Sequence, residues 1–185
     1  RRRTEAALVV EHANLTAIFS ASPVPLVVFD DALQVVWANP AMLRMVGADP
    51  HEPLERRPGN LMGCRHSRLD PRGCGFSPDC RLCQGRSGLT SVLANGNSVN
   101  GREVPLERLV DGRPSTMWLR VGIEPFILDG RRHIVAALDD VTEAKRRETL
   151  LTQKLDEQRA ALMSLIGQLD AERRRVEETR SQISH

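Results

Sequence analysis

Four cysteines are the residues of this chain best equipped for chemistry, and all four fall between Cys64 and Cys83. Their spacing is Cys64-x9-Cys74-x5-Cys80-x2-Cys83. A disulfide framework spreads its cysteines to staple distant segments, whereas thiols gathered in one short stretch suggest a site. Four thiolates make a complete tetrahedral set for zinc or for an iron–sulfur cluster. The pair Cys80-x2-Cys83 is a usual two-ligand bite, and Gly73 and Gly75 flank Cys74 with the permissive dihedrals that a tight fold around a metal requires. A reversible thiol–disulfide switch among the same residues, or a metal-free loop, are the competing readings.

The surroundings of the cysteines are basic. Arg65, Arg68, Arg72, Arg81 and Arg86 stand around them with only Asp70 and Asp79 opposing. A four-thiolate zinc or an oxidised four-thiolate cluster carries about two net negative charges, which nearby guanidinium groups would offset. The plain alternative is a solvated loop surface. His66 is close enough in sequence to serve as a further donor or supporting group, against the simpler reading of a solvent-facing ring. His12, His51 and His133 carry no motif.

The rest of the composition excludes other classes. Lysine and arginine total 26 against 24 acidic residues in 185, a net charge of +2, which is no nucleic-acid footprint. Aromatic residues are 3%, with no tyrosine, too few for base-stacking platforms. No apolar run approaches the roughly 20 residues of a membrane span, and no signal-peptide pattern appears, so a cytoplasmic location is expected. No Walker loop, nucleotide fingerprint, Gly-x-Ser-x-Gly elbow or zinc-protease motif is present, and an enzyme is not expected.

The elements that must position the cysteines are legible on either side of them. Residues 4–21 read as an amphipathic helix with Leu8, Leu15, Ile18 and Phe19 on one side, ended by Pro23 and Pro25. Residues 26–29 and 33–37 read as a hairpin around Asp30-Asp31. Asn39-Pro40 then caps a short helix that Gly47 closes. Residues 48–81 lose all periodicity and hold Pro50, Pro53, Pro58, Pro71 and Pro78, so a long functional loop is expected there. A helix over 84–94 follows. Strands over 99–110, 115–126 and 131–139 then meander through turns at Asp111-Gly112 and Asp129-Gly130. The whole is an α+β domain on one five-stranded antiparallel sheet with short helices.

From Val141 the period becomes helical again. Leu155, Leu162, Leu169, Val176 and Ile183 recur every seven residues, with Leu151 and Leu165 in a companion seam that Gln158, Glu172 and Thr179 interrupt. A strict heptad predicts a coiled coil and hence a homodimer through the terminal helices; the alternative is a lone helix packed on its own sheet. The organisation is therefore residues 1–21 as the first helix, 22–140 as the central domain with its cysteine loop at 58–83, and 141–185 as the coiled-coil helix. The chain begins at Arg1 without methionine and stops at Ser184-His185 within a helical pattern, which reads as a piece of a longer protein.

This order, with its residues, resembles a PAS domain. Asn14-Leu-Thr-Ala-Ile-Phe-Ser-Ala-Ser-Pro-Val-Pro-Leu-Val-Val-Phe-Asp30 looks like the family's opening helix and first strand. Val35-Val-Trp-Ala-Asn-Pro-Ala-Met-Leu-Arg-Met-Val-Gly47 looks like its second strand and Asn-Pro helix. Leu138-Asp-Asp-Val-Thr-Glu-Ala-Lys-Arg146 looks like its closing Asp-Ile-Thr motif, with valine for isoleucine. The segment Pro58–Cys83 resembles a cysteine-rich variant found in PAS sensor kinases of anaerobic bacteria. In PAS domains that stretch lines the ligand cleft, which makes the cysteines a ligand set in a sensor cleft.

The resemblance implies a dimeric sensor of oxygen, redox state or nitric oxide, with a 4Fe-4S or 2Fe-2S cluster at Cys64, Cys74, Cys80 and Cys83. It would signal through Asp139, Asp140, Val141 and Thr142 into the coiled coil and on to an output domain in the same chain. Structural zinc in a dimerisation module is the rival. Oxygen-sensing relatives with a 4Fe-4S cluster use two Cys-x-x-Cys pairs, a spacing this chain lacks. Cys64-Arg65 faintly resembles the flavin-adduct cysteine of blue-light sensors, but His66-Ser67 replaces the Phe-Leu-Gln run. Haem-binding members place a histidine on the helix corresponding to 84–94, where this chain has none. Ser184-His185 matches the opening of a histidine-kinase phosphoacceptor motif.

Overall fold

The structure is a computed structural model and describes residues 2–49 and 56–183. Pro50, His51, Pro53, Ser184 and His185 lie outside the described residues, as do the side chains of Leu8, His12 and Ile183. The chain divides into two compact units, one through Thr142 and one from Glu143 onward.

The first unit is built on a sheet in the order β2-β1-β5-β4-β3, antiparallel throughout. Strands β1 (Leu26–Phe29) and β2 (Val35–Ala38) form the hairpin read from sequence; β3 (Val99–Val110), β4 (Arg113–Leu128) and β5 (Arg131–Asp140) form the meander. In both meander turns Asp and Gly take left-handed dihedrals: Asp111 and Asp129 have φ 50°, and Gly112 and Gly130 have φ 73° and 75°. These are the dihedrals of two-residue turns whose twist matches that of their strands. Alternation along β4 buries Met117, Leu119, Val121 and Ile123 on one face, where they meet Val104 of β3, Ile134, Ala136 and Leu138 of β5, and Val27 and Phe29 of β1.

Helix α1 (Arg2–Ala21) forms where expected, but its apolar side is not buried. Leu15 and Ile18 are exposed, and the ring that docks is Phe19, stacked on Trp37 with centroids 3.8 Å apart. Helix α2 (Pro40–Val46) is capped by Asn39, whose Oδ1 accepts from Met42 N at 2.9 Å, and closed by Gly47 at φ 65°. Beyond it, the stretch read as structureless is locally folded in its described part. It holds the four-residue helix α3 (Pro58–Leu61) and two single 3-10 turns, Arg65–Arg68 and Pro78–Arg81. Such turns are too short to show a hydrophobic period, which is why sequence reasoning missed them. Helix α4 (Gln84–Asn95) then lies across the sheet, with Leu89 and Val92 buried in the core and Gly96 closing it at φ 75°. The second unit is the rest of α5 (Thr142–Ile183), a helix of 42 residues, roughly 63 Å long. Among the described residues, no helix is long and apolar enough to cross a membrane.

Candidate functional site

Between the inner face of the sheet and the segment α3 to α4 lies a cavity of about 100 Å³. Its floor is apolar, from Val27, Phe29, Val104, Leu119, Val121, Ile123, Ala136 and Leu138. Cys64, Cys74, Cys80 and Cys83 all line it, with His66 and Arg86. All four cysteines of the loop thus line one cavity.

Short-range geometry sets each of them. Cys64 leaves α3 through Gly63 at φ 69°, and its backbone N donates to Gly59 O at 2.8 Å. It also bridges to Arg108 of β3, which ties the loop to the sheet edge. Cys74 sits between Gly73 and Gly75, at φ 84° and 102°, and its N donates to Asn60 Oδ1 at 2.7 Å. A Cβ on Gly73 would come within 2.5 Å of that same oxygen, so glycine is required there. Cys80 lies in the second 3-10 turn, its N donating to Ser77 O at 3.0 Å. Cys83 caps α4.

Backbone amides also face two of the sulfurs. Gly75 N donates to Cys80 Sγ at 3.2 Å and Arg86 N to Cys83 Sγ at 3.4 Å. The amides of His66 and Ser67 favour the ionised form of the Cys64 thiol, and that of Gly59 the ionised form of Cys74. Amide donors favour sulfur as thiolate. Against them, burial pushes the Cys64 and Cys74 thiols up from the ordinary range, and the neighbouring Cys80 and Cys83 push the same way. Among the described residues, no three His, Cys, Asp or Glu side chains converge closely enough to hold a metal ion as they stand. The thiols share a cavity without being drawn into a coordination sphere.

The basic shell largely dissolves into the surface. Arg72 bonds Asp70 twice, at 3.0 and 2.9 Å, and its guanidinium holds the Asp70 carboxyl down at about 2. Arg65 pairs with Glu107 at 2.7 Å and donates to His66 Nε2 at 3.1 Å. Arg68 and Arg81 are exposed. Of the five arginines only Arg86 lines the cavity, three residues beyond Cys83 and so on the face of α4 that the cavity occupies. Sequence reasoning missed Gly59 and Asn60, which brace Cys74; the Pro58-Gly-Asn60 helix start was the available signal.

The exit from the sheet is equally specific. Val141 is buried, and its N donates to Trp118 O at 2.9 Å. Trp118 N donates to Thr142 Oγ1 at 2.8 Å, and Thr142 N to Asp140 Oδ1 at 2.9 Å. Asp139 is exposed and 3.8 Å from Arg120. Along α5, Leu155, Leu162, Leu169 and Val176 are all exposed.

Residues 13–84 match the family model described as PAS domain. Among solved structures, an RNA-binding light-oxygen-voltage receptor is similar at 23% identity and TM-score 0.53, over 78% of this chain and 37% of that one. A PAS domain from Colwellia psychrerythraea is similar at 14% identity and TM-score 0.50, over 71% and 97%. The PAS domain of an HTR-like protein from Haloarcula marismortui gives 22% identity and TM-score 0.47, over 76% and 99%. A search of curated proteins gives no match.

Proposed function

We propose that this chain, whose residues 13–84 match the PAS-domain model, is a sensory module whose cavity holds an iron–sulfur cluster on Cys64, Cys74, Cys80 and Cys83. One observation carries the reading: four cysteines line a single cavity, and backbone amides donate to the sulfurs of Cys80 and Cys83. Amide bonds to sulfur are among the levers that set cluster potentials, and a cation in the cavity reverses the burial penalty on the thiolates. A bound cluster supplies a centre that changes charge by one electron and is attacked by oxygen and nitric oxide.

The chain's own residues do the rest. Coordination would require the two 3-10 turns to bring the sulfurs together, and Gly63, Gly73 and Gly75, all at positive φ, punctuate the segment that would have to move. Cys83 is the cap of α4, so a change at the cysteines moves the start of that helix. The apolar floor excludes bulk water and admits a small uncharged molecule. Leu119 and Val121 belong to that floor, and Trp118 beside them is clamped to Val141 and Thr142 at the head of α5. Exposed leucines at seven-residue spacing then pair two copies as a coiled coil and pass the change to an output domain, in a cytoplasmic protein.

Purification without oxygen, followed by iron, sulfide and zinc analysis, tests the centre. Stoichiometric iron and sulfide with visible absorption that bleaches in air is the expected result. One zinc per chain and no visible absorption overturns it in favour of a zinc-stapled dimerisation module. A colourless, metal-free chain whose four thiols become disulfides on oxidation supports the thiol switch instead. Sedimentation of the wild type beside Leu162→Asp reads the dimer.

A further inference from the structure

A second cleft, of about 500 Å³, shares only Arg86 with the lining of the cysteine cavity. It is framed by Asp31 and Leu33 of the β1–β2 turn, by Arg57 at the start of α3, by α4, and by Arg132 at the start of β5. Three guanidinium groups from segments far apart in sequence thus line one cleft, against a single carboxylate, that of Asp31. Among the described residues, none of the three is ion-paired. Arg72 and Arg65 of the loop, by contrast, are taken by Asp70 and Glu107.

Each guanidinium is restrained by its own surroundings. Arg57 lies over the Phe76 ring, its Cζ 4.9 Å from the centroid, a contact that holds it without meeting its N–H groups. Arg132 donates from Nη1 to Leu93 O and Ala94 O, at 2.6 and 3.0 Å, which leaves Nε and Nη2 for another acceptor. Arg86 packs over Gly75, where a Cβ would stand 2.7 Å from its Cζ, and its Nη1 is buried with no hydrogen-bond partner. Half-buried cations gathered without an anion are costly, because like charges repel and an unmet buried N–H forfeits its hydration. Their planar forks match the paired oxygens of carboxylate and phosphate.

We infer that this cleft is a binding site for a small organic dianion, a dicarboxylate or a phosphate monoester, gripped by Arg57, Arg86 and Arg132. Three cations against Asp31 leave about two positive charges to be met, and a phosphate monoester carries about that charge at pH 7. Leu33 and Leu93 give the ligand's carbon skeleton an apolar wall. A bound dianion would join the first turn of α4 to β5 and to the β1–β2 turn, a second input to the helix that Cys83 caps. The site stands on these arginines and needs no group on the cysteines.

The test is isothermal titration of the full chain at low salt, in a buffer free of phosphate and carboxylate, with succinate, inorganic phosphate and acetate as probes. Succinate or phosphate is expected to bind one per chain and to weaken as sodium chloride rises, with acetate about tenfold weaker or more. Arg57→Gln and Arg86→Gln are each expected to weaken binding about tenfold. Asp31→Asn removes the opposing charge and is expected to tighten it, a gain that a merely structural role for the arginines would not produce. Arg81→Gln, at an exposed position outside the cleft, is expected to bind as wild type does. If far-UV dichroism shows that Arg86→Gln does not fold, Arg57→Gln and Asp31→Asn decide. Binding of succinate alone assigns a dicarboxylate, of phosphate alone a phosphate monoester, and of both a site that selects by charge. No saturable uptake of either probe overturns the site, as does binding that Arg57→Gln and Asp31→Asn leave at wild-type strength. Acetate bound as tightly as succinate overturns it too.

Discussion

Gly59 lies directly against Cys74: a Cβ at position 59 would stand 2.9 Å from Cys74 Sγ and 3.3 Å from Cys64 Cβ. The absence of a side chain at one residue of α3 is what lets the first two thiols share a wall of the cavity. Gly59→Ala is therefore expected to force them apart. The cost of overpacking a close contact is about 1–3 kcal/mol, read as a lower urea midpoint with unchanged far-UV dichroism. Metal uptake should fall well below that of the wild type. Uptake and midpoint both equal to wild type would show that the thiols do not depend on this contact.

The acidity of the same thiols gives a pH prediction. Burial, reinforced by the other cysteines, holds Cys64 and Cys74 protonated in the folded, metal-free chain above the pH at which an unfolded cysteine ionises. A raised folded value stabilises fully below the unfolded one, about 8.5, and that stabilisation is lost as pH rises through the folded values. The metal-free chain should thus lose stability in the alkaline range, and iodoacetamide should modify these two thiols slowly at pH 8. Metal-loaded chain should show the reverse trend, because loading releases protons and tightens as pH rises. A metal-free urea midpoint that is flat between pH 7 and 10 would contradict the assignment.

Asn39 is fully buried and makes five bonds. Its Oδ1 accepts from Leu26 N and Met42 N, both at 2.9 Å, and its Nδ2 donates to Phe19 O, Ser22 O and Val24 O at 3.2, 3.3 and 2.9 Å. One side chain joins α1, β1 and α2. Asn39→Ala removes a helix cap and strands buried backbone groups, so a loss of about 3 kcal/mol is expected in urea unfolding. Asn39→Asp should recover only part, since it keeps the acceptor and lacks the donors. A loss below about 1 kcal/mol for Asn39→Ala would mean that water replaces these bonds.

These particulars mark what the sequence made legible. Asn39-Pro40, Asp111-Gly112 and Asp129-Gly130 are local signals, each sufficient to fix a cap or a turn, and all appear as read. The loop resisted because its order comes from contacts between residues with no periodic relation, such as Asn60 with Gly73 and Cys74. The five arginines looked equivalent in sequence; their difference is tertiary, since a carboxylate two residues away claims Arg72 while Arg86 turns into the cavity. The apolar side of α1 was legible as a pattern, but a pattern does not say what covers it, and Leu15 and Ile18 are exposed.

Thr142 is where the sheet hands over to α5, and its hydroxyl accepts from Trp118 N while its own N is capped by Asp140. Trp118 adjoins Leu119 of the cavity floor, so this bond is the short connection between cavity and helix. Thr142→Val keeps the shape and deletes the acceptor. The Trp118 amide is expected to exchange with deuterium about tenfold faster, equivalent to about 1.4 kcal/mol, with little change at the β3–β4 pairs distant from the junction. Asp140→Asn keeps a capping oxygen and should leave Trp118 protected. If the Trp118 amide exchanges at the wild-type rate in Thr142→Val, the clamp lies with Val141 alone, whose N donates to Trp118 O.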